Sequence, residues 1–179
     1  KEHLKSIKRT GFGAALFSDW RYNDDGSDNP DFVLNKPETA GAEILVTRNN
    51  CGCGSSREHA VWAVVQYGFK AIIAPRQDDN PGFADIFNNN CSKNGLLTIE
   101  LSEEQVDEVF QTLEKEPGAK ATVDLEAQIV TLHASAGNLV YAFKANAAVR
   151  DKLLNGLDDI ALTLQYDADI TAFENKRAV

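Results

Sequence analysis

The sequence predicts an α/β fold in which a βαβ part precedes an antiparallel part. Residues 43–47 and 71–74 are short apolar runs typical of buried strands, and the apolar stretch 60–65 between them belongs to a helix. A strand, a helix and a second strand in this order form a parallel βαβ unit. Three later runs, bounded by turn residues, have the pattern of antiparallel strands: 120–124, 128–133 and 139–144. We expect the strands to form one mixed sheet.

A capping box predicts where the helix of the βαβ unit begins. Ser55 is followed three residues later by Glu58, the spacing at which two residues cap a helix start reciprocally. We therefore expect a helix over residues 56–67, ended by Gly68. Because its residues 60–65 are apolar on every side, this helix is expected to be buried in a core or an interface.

Similar signals predict the remaining elements. Ser102 and Gln105 form a second capping box, which opens a helix that ends near Lys115. A short helix, a strand and two C-terminal helices complete the prediction: 83–87, 96–101, 147–155 and 157–174. No composition shift marks a domain boundary, so we expect residues 1–179 to form a single domain.

Composition excludes several classes of function. The chain has 179 residues, of which 43% are hydrophobic and 25% charged, as in ordinary globular proteins. Its net charge of −9 disfavours nucleic acid as a partner. There is no apolar run long enough to cross a membrane, and three cysteines, an odd count, indicate a reducing, cytoplasmic setting. The basic stretch 1–22 suits an anionic small molecule or an acidic partner, or is simply a solvated turn.

The glycine-rich turn at residues 52–60 is the strongest candidate for a binding site. Glycines such as Gly54 let the backbone approach a ligand, and the free N–H groups of a helix start attract anions. Arg57 adds a planar fork of donors matched to a carboxylate, although a cation in the first helical turn opposes the helix dipole. A residue placed against a local rule often serves function, so the turn is a candidate site for a small carboxylate. An ordinary capped helix start is the alternative interpretation.

Two other patterns are weaker candidates. One is an iron–sulfur cluster bound by Cys51, Cys53 and Cys91, but a Cys-x-Cys pair with one distant cysteine is a weak pattern for such a site. The alternative is that these thiols are buried and pack as small hydrophobic groups. His59 is expected to be packed or hydrogen-bonded rather than to bind a metal. No spacing of Ser, His and Asp indicates a hydrolase triad.

The residues from Asn50 to Ala60 resemble the Gly-Ser-Ser-Arg-Glu-His signature of the swivel domain of the aconitase superfamily. Within that superfamily the chain is similar to the small subunits of bacterial 3-isopropylmalate dehydratase, also called isopropylmalate isomerase. The resemblance covers nearly the whole chain and includes these segments: 4–13, 19–22, 30–35, 83–87 and 155–160. It implies a swivelling domain of the β/β/α type that carries the Gly-Ser-Ser-Arg turn on its βαβ part.

The resemblance also implies an activity shared between two subunits. The family converts 2-isopropylmalate to 3-isopropylmalate in leucine biosynthesis, by dehydration to a cis-alkene and rehydration. A four-iron four-sulfur cluster, held by a separate large subunit, binds the hydroxyl and a carboxylate of the substrate as a Lewis acid. We therefore expect a heterodimer or a higher assembly, a small dicarboxylate substrate, no metal ligand on this chain, and no activity of the chain alone.

Roles for individual residues follow from the matching motif positions. The resemblance implies that Ser55, as its alkoxide, removes the carbon-bound proton, and that Gly54, Ser56 and Arg57 bind a substrate carboxylate. A serine hydroxyl is a poor base unless its anion is stabilised, which the N–H groups of the turn and a guanidinium can do. Four further residues are candidates for supporting roles: Lys8, Arg9, Glu58 and His59.

The sequence departs from the family pattern at three places, and two alternative functions stay open. The family's small subunits normally begin with a stretch that contains an Asp-Thr-Asp motif absent here, so we expect N-terminal sequence to be missing. Residues 76–81 look like an insertion, and Cys51 stands where an aromatic residue is common. The alternatives are a related hydro-lyase small subunit, of the homoaconitase or citramalate type, and a non-catalytic carboxylate-binding module.

Overall fold

The computed structural model describes residues 9–54, 57–77, 79–157 and 159–177, the side chain of residue 159 excepted. The strands are Ile44–Val46 (β1), Ala71–Pro75 (β2), Leu97–Leu101 (β3), Lys120–Asp124 (β4), Ile129–Ala134 (β5) and Gly137–Ala142 (β6). The α-helices are Ser18–Arg21 (α1), His59–Tyr67 (α2), Asp85–Lys93 (α3), Glu103–Lys115 (α4), Ala147–Asn155 (α5), Asp159–Leu164 (α6) and Asp167–Arg177 (α7).

The strands form two sheets, so the prediction of one mixed sheet is wrong. β1, β2 and β3 pair in parallel in that order, which confirms the βαβ part. β4, β5 and β6 form a separate antiparallel sheet, with neighbours in the sequence also neighbours in the sheet. The reason lies in where the apolar side chains of the second sheet go. Val130 and Leu132 of β5 are buried on one face, so this sheet packs face-on against the core instead of extending the parallel edge.

The central strand β2 separates two hydrophobic clusters. All five of its residues are buried, and successive side chains point to opposite faces. Ile72 and Ala74 face the cluster that contains α2 and α3, while Ala71 and Ile73 face the cluster that contains α4 and the antiparallel sheet. The turn between β1 and α2 therefore follows a strand that pairs with this fully buried one.

The predicted capping box of α4 is confirmed. The Gln105 N–H donates to Ser102 Oγ at 3.2 Å, and the Ser102 N–H donates to Gln105 Oε1 at 3.0 Å. These two bonds satisfy donors that have no partner in the first turn of a helix. Gly68 ends α2 as predicted, with its N–H directed at the carbonyls of Val64 and Val65.

Three other predictions needed adjustment. The short helix expected at 83–87 runs from Asp85 to Lys93, because Phe87 and Cys91, one turn apart, are both buried on the same face. The single helix expected at 157–174 is divided into α6 and α7. α2 is not buried on every side: Val61, Ala63 and Val64 are in the core, while Val65 is 36% exposed.

The C-terminal helices lie on the surface. In the described part of residues 147–177, no side chain is buried, and Ile160, Leu164 and Phe173 are more than half exposed. No helix in the described ranges has both the length and the apolar character needed to cross a bilayer.

Candidate active site

The glycine-rich turn connects the end of β1 to the start of α2. The N–H of Thr47 donates to the carbonyl of Ile73 at 2.8 Å, which extends the parallel pairing one residue beyond β1. The turn thus begins at the carboxyl end of the parallel sheet. In open α/β sheets this edge is where ligands bind, because the loops that follow neighbouring strands converge there.

Backbone hydrogen bonds hold the first part of the turn against a second loop. The N–H groups of Asn50 and Cys51 donate to the carbonyls of Pro81 and Gly82, both at 2.9 Å. The N–H of Ala84 returns a bond of 2.9 Å to the carbonyl of Cys51. The last residue of the predicted insertion is therefore in direct contact with the turn.

Gly52 fits this place because of its neighbour Phe87. Its φ of +85° is a conformation that L side chains rarely adopt, and a Cβ at this position would lie 2.1 Å from Phe87 Cγ. Gly54, by contrast, has no atom of the described residues, its chain neighbours aside, within 4 Å of the place where a Cβ would be. Gly52 thus allows the turn to pack closely against Phe87 of α3, and Gly54 leaves open space beside the backbone.

The start of α2 differs from the predicted one. The helix begins at His59 and not at residue 56, and Glu58 occupies the N-cap position without capping the helix through its side chain. A capping box would place Glu58 three residues into the helix, so the predicted start at residue 56 is wrong, and the pairing of Ser55 with Glu58 lies outside the described residues. Arg57 lies before the helix, so its charge is not in the first turn as we expected.

Asn94 holds the side chain of Glu58. Asn94 Nδ2 donates to Glu58 Oε1 at 2.8 Å and to the carbonyl of Asn90 at 2.9 Å. Trp62 Nε1 donates to Asn94 Oδ1 at 3.0 Å. The side-chain amide of Asn94 thus connects the end of α3 to the N-cap and the first turn of α2, and it accepts the indole N–H of Trp62. This network, rather than a capping box, fixes the backbone that immediately follows Arg57.

His59 is packed between aromatic rings. Its ring centroid lies 5.1 Å from that of Phe12, in an edge-to-face arrangement, and 4.7 Å from that of Trp62. The Nδ1 atom is buried and has no hydrogen-bond partner among the described residues. The geometry agrees with the packed interpretation of this histidine.

Arg9 lies over the same face of α2. Its guanidinium carbon is 5.8 Å from the centroid of the Trp62 ring, within the range of a cation–π interaction. Its backbone carbonyl accepts a hydrogen bond of 2.7 Å from Gln66 Nε2. The side chain of Arg9 is exposed, so a positive charge is held beside the start of α2 and stays open to solvent.

Three of the predicted site residues, Lys8, Ser55 and Ser56, lie outside the described residues. The structure describes Gly54 and Arg57, which flank the two serines, and both are exposed. Of the proposed supporting residues, Arg9 and His59 contact the Trp62 ring, and Glu58 is bonded to Asn94, which also accepts the Trp62 indole N–H.

Three family profiles cover most of the chain. The aconitase C-terminal domain matches residues 1–104, which include the glycine-rich turn. The LeuD_N family matches residues 107–144, and the C-terminal domain of the 3-isopropylmalate dehydratase small subunit matches residues 159–179.

Three proteins with at least 50% identity to this chain are named "3-isopropylmalate dehydratase small subunit". The protein of Desulforapulum autotrophicum is 54% identical over 99% of this chain and 84% of its own length. The protein of Rhodopirellula baltica is 53% identical over 99% of this chain and 86% of its own length. The protein of Paenibacillus polymyxa is 50% identical over 99% of this chain and 95% of its own length. The chain belongs to the 3-isopropylmalate dehydratase small-subunit family. A crystal structure titled 3-isopropylmalate dehydratase (leuD), from Methanocaldococcus jannaschii, is 26% identical, with a TM-score of 0.49 over 75% of this chain and 68% of that one.

Two of the three cysteines of this family member, Cys51 and Cys91, are partly or fully buried. Within the part of the chain that the structure describes, no group of three or more His, Cys, Asp or Glu side chains is placed to hold a metal ion. Burial raises the pKa of the Cys91 thiol, with the nearby Cys51 as a second cause, and burial also raises the pKa of Cys51. Cluster ligands are thiolates, so these two residues fit the alternative of small packed side chains better than an iron–sulfur site.

The residues that sequence reasoning missed are those that support the turn from a distance. In the sequence, Trp62 is one member of an apolar run, and neither Asn94 nor Gln66 belongs to a recognisable motif. No sequence pattern pairs them with their partners, because 36 residues separate Asn94 from Glu58 and 57 separate Gln66 from Arg9.

Proposed function

We propose that this chain is the small subunit of an isopropylmalate isomerase of the cytoplasm. Together with a large subunit it interconverts 2-isopropylmalate and 3-isopropylmalate by dehydration and rehydration, a step of leucine biosynthesis. The observation that carries the proposal is the identity of 50–54% over 99% of the chain to proteins named 3-isopropylmalate dehydratase small subunit. The geometry of the turn supports it, because an exposed arginine and an open glycine at the carboxyl edge of a parallel sheet suit a small carboxylate.

Arg57, Ser56 and Gly54 bind a carboxylate of the substrate in this proposal. A guanidinium presents two parallel N–H donors to the two oxygens of a carboxylate, and this gives orientation as well as affinity. The space beside Gly54 lets the ligand approach the backbone N–H groups, which a side chain at this position would obstruct. Glu58, held by Asn94, fixes the backbone on the other side of Arg57.

Ser55 removes the carbon-bound proton as its alkoxide. The reaction takes a proton from the carbon next to the one that bears the hydroxyl, and the hydroxyl leaves to give the alkene. Because a free serine hydroxyl is far too weak an acid to be ionised at neutral pH, its anion must be stabilised by nearby donors. The N–H groups of the turn and the charge of Arg57 are the groups of this chain that do so.

The large subunit completes the site. We propose that it holds the four-iron four-sulfur cluster, which supplies the Lewis acid for the substrate hydroxyl. This chain contributes the base, the carboxylate contacts and one wall of the site. Water is excluded and the substrate oriented only when the two subunits meet, so the isolated chain is inactive.

Arg9 provides a second positive charge for the dianionic substrate. The net charge of the chain is −9, which by itself repels a dianion. Arg57 places one guanidinium group on the stretch that leads to α2, and Arg9 places a second on the loop that packs over this helix. This local reversal of sign raises the concentration of substrate at the site.

The test is reconstitution with the large subunit under anaerobic conditions, with conversion of 2-isopropylmalate followed by the absorbance of the alkene intermediate. We expect turnover only with both subunits present. Ser55→Ala should lower kcat by about 10³-fold or more while the complex still forms. Ser92→Ala is the matched control, because Ser92 Oγ donates to the backbone carbonyl of Asn89 in its own helix.

Two outcomes would favour the alternatives. Turnover of homocitrate or citramalate with a higher kcat/KM than that of 2-isopropylmalate would indicate a related hydro-lyase subunit. An intact complex without turnover of any of the three acids, but with measurable binding of a dicarboxylate, would indicate a non-catalytic module. Unchanged turnover in Ser55→Ala would remove Ser55 as the base.

A further inference from the structure

Gln66 joins the segment that carries Arg9 to helix α2 through two hydrogen bonds. The N–H of Phe12 donates to Gln66 Oε1 at 2.8 Å, and Gln66 Nε2 donates to the carbonyl of Arg9 at 2.7 Å. Both polar ends of one side-chain amide are thus occupied by the backbone of a single short loop. A side chain that satisfies a donor and an acceptor of the same loop restrains its rotation as well as its distance.

The next residues of this loop pack tightly on the same end of α2. A Cβ on Gly13 would lie 2.7 Å from the carbonyl oxygen of Gln66 and 2.9 Å from the backbone nitrogen of Tyr67. The loop backbone is therefore in direct contact with the helix backbone. The Gln66 side chain makes hydrogen bonds to the backbone of residues 9 and 12, and Gly13 packs against the helix backbone. Together these contacts leave the backbone of Arg9 little freedom.

The side chain of Arg9 is directed along the helix toward the glycine-rich turn. Gln66 and Trp62 are one turn apart on α2, and Trp62 is one turn from Glu58, so the three form one stripe. Gln66 holds the backbone of Arg9 at one end of this stripe, and the Arg9 guanidinium lies over the Trp62 ring in its middle. Arg57 and Glu58 are at the other end.

We infer that Gln66 is a positioning residue of the isomerase, one that sets the place of the Arg9 guanidinium relative to Arg57 and thereby the affinity for the dianionic substrate. The inference rests on the proposed function. Gln66 does not touch the substrate; it acts through Arg9. An exposed arginine has many rotamers, and its contribution to binding depends on how few of them the backbone and the Trp62 ring leave accessible.

A double-mutant cycle in the reconstituted holoenzyme tests this inference. The variants are Gln66→Ala, Arg9→Ala and the combination of the two, each assayed for kcat and KM with 2-isopropylmalate. We expect Gln66→Ala to raise KM about tenfold with kcat changed by less than about twofold, since uniform binding is lost. In the Arg9→Ala background the same change should move KM by less than about twofold, because its effect is transmitted through Arg9.

Gln105→Ala is the matched control. Gln105 also accepts a backbone N–H through Oε1, in the capping box of α4, and its loss should lower the melting temperature without a change in KM. If Gln66→Ala raises KM equally in both backgrounds, or lowers kcat and leaves KM unchanged, the inference is wrong. If Arg9→Ala leaves KM unchanged, the positioning role is wrong while the isomerase function stands. A wild-type complex without turnover contradicts the proposed function, and the positioning role with it.

Discussion

Asn94 and Glu58, separated by 36 residues, are joined by a hydrogen bond of 2.8 Å at the entrance to helix α2. The bond connects the end of α3 to the residue that directly follows Arg57. Because Asn94 also accepts the indole N–H of Trp62, its loss leaves two partners without their hydrogen bonds. The backbone of the proposed substrate site thus depends on a side chain that belongs to a different helix.

Replacement of Asn94 should therefore affect stability and turnover together. Asn94→Ala is expected to lower the free energy of unfolding by about 1–3 kcal/mol, the cost of unsatisfied, partly buried polar groups. Urea denaturation measures the loss, and kcat in the reconstituted enzyme should fall with it. Asn89→Ala, at an exposed position of α3, is the control and should change stability by less than about 0.5 kcal/mol.

Asn94→Asp gives a pH-dependent version of the same test. The aspartate keeps an acceptor for Trp62 but places a second carboxylate beside Glu58, and two negative charges at this distance repel each other. We expect the variant to be less stable than the wild type by a larger amount at pH 8 than at pH 5. Equal stability of the two proteins at both pH values would contradict the contact between residue 94 and Glu58.

Gly26 serves as a reference for the energetic cost of a side chain at Gly52 in the glycine-rich turn. Both have a φ of +85°, but only Gly52 faces a neighbour, Phe87, while nothing lies within 4 Å of the Cβ position at Gly26. Gly26→Ala should cost about 1 kcal/mol, the backbone strain alone. Gly52→Ala should cost at least about 3 kcal/mol, since the ring of Phe87 must also move. Equal losses in thermal unfolding would indicate that Phe87 moves away at no cost.

The N-cap of α4 is predicted to affect stability and not activity. Ser102→Ala removes the acceptor for the Gln105 N–H and should lower the free energy of unfolding by about 1 kcal/mol. Since α4 packs on the face of the parallel sheet opposite α2, KM and kcat should stay within about twofold of the wild type. A loss of activity larger than the loss of stability would contradict this separation.

The three cysteines should differ in their rates of alkylation. Cys53 is exposed, Cys51 is partly buried and Cys91 is buried, and burial raises the pKa of both Cys51 and Cys91. Because only the thiolate reacts, iodoacetamide should modify Cys53 first and Cys91 last in the folded chain. Peptide mass spectrometry over time measures the order, and all three should react in urea. Modification of Cys91 as fast as Cys53 would contradict the packing around α3.

Glu116 is predicted to contribute to stability at neutral pH and not in acid. Hydrogen bonds from the hydroxyl and then the N–H of Ser135 hold its pKa below the ordinary value. A carboxyl whose pKa is lowered by folding contributes fully above its unfolded pKa, and the contribution disappears as the pH falls through the lower, folded pKa. The urea midpoints of the wild type and Glu116→Gln should differ at pH 7 and converge in acid, once the pH is below the folded pKa. A constant difference would contradict the assignment.

Local signals were predicted well from the sequence. The capping box of α4 involves residues three positions apart, β4 and α5 were predicted with the bounds that the structure has, and Gly68 ends α2. Each of these depends on interactions within one turn of helix or one strand. Periodicity and turn chemistry are sufficient for such elements because the partners are close in the sequence.

The predictions that failed depended on distant contacts. The predicted start of α2 is too early because Glu58, which pairs with the distant Asn94, occupies the N-cap and the helix begins at His59. α3 was predicted too short because an asparagine-rich run is normally a turn, whereas Phe87 and Cys91 gain enough burial to keep it helical. The single mixed sheet became two because burial of Val130 and Leu132 directs the antiparallel sheet onto a face of the core.

The sequence by itself determined the order of the elements, the α/β class, the family and the turn in which the chemistry is expected. These are properties of short motifs, whose information lies within a few consecutive residues. Only the tertiary structure decided that Gly52 faces Phe87, that Asn94 holds Glu58 and that Gln66 holds the backbone of Arg9. Such contacts form only after the chain has folded, because the residues that make them are brought together by packing and not by their spacing in the sequence.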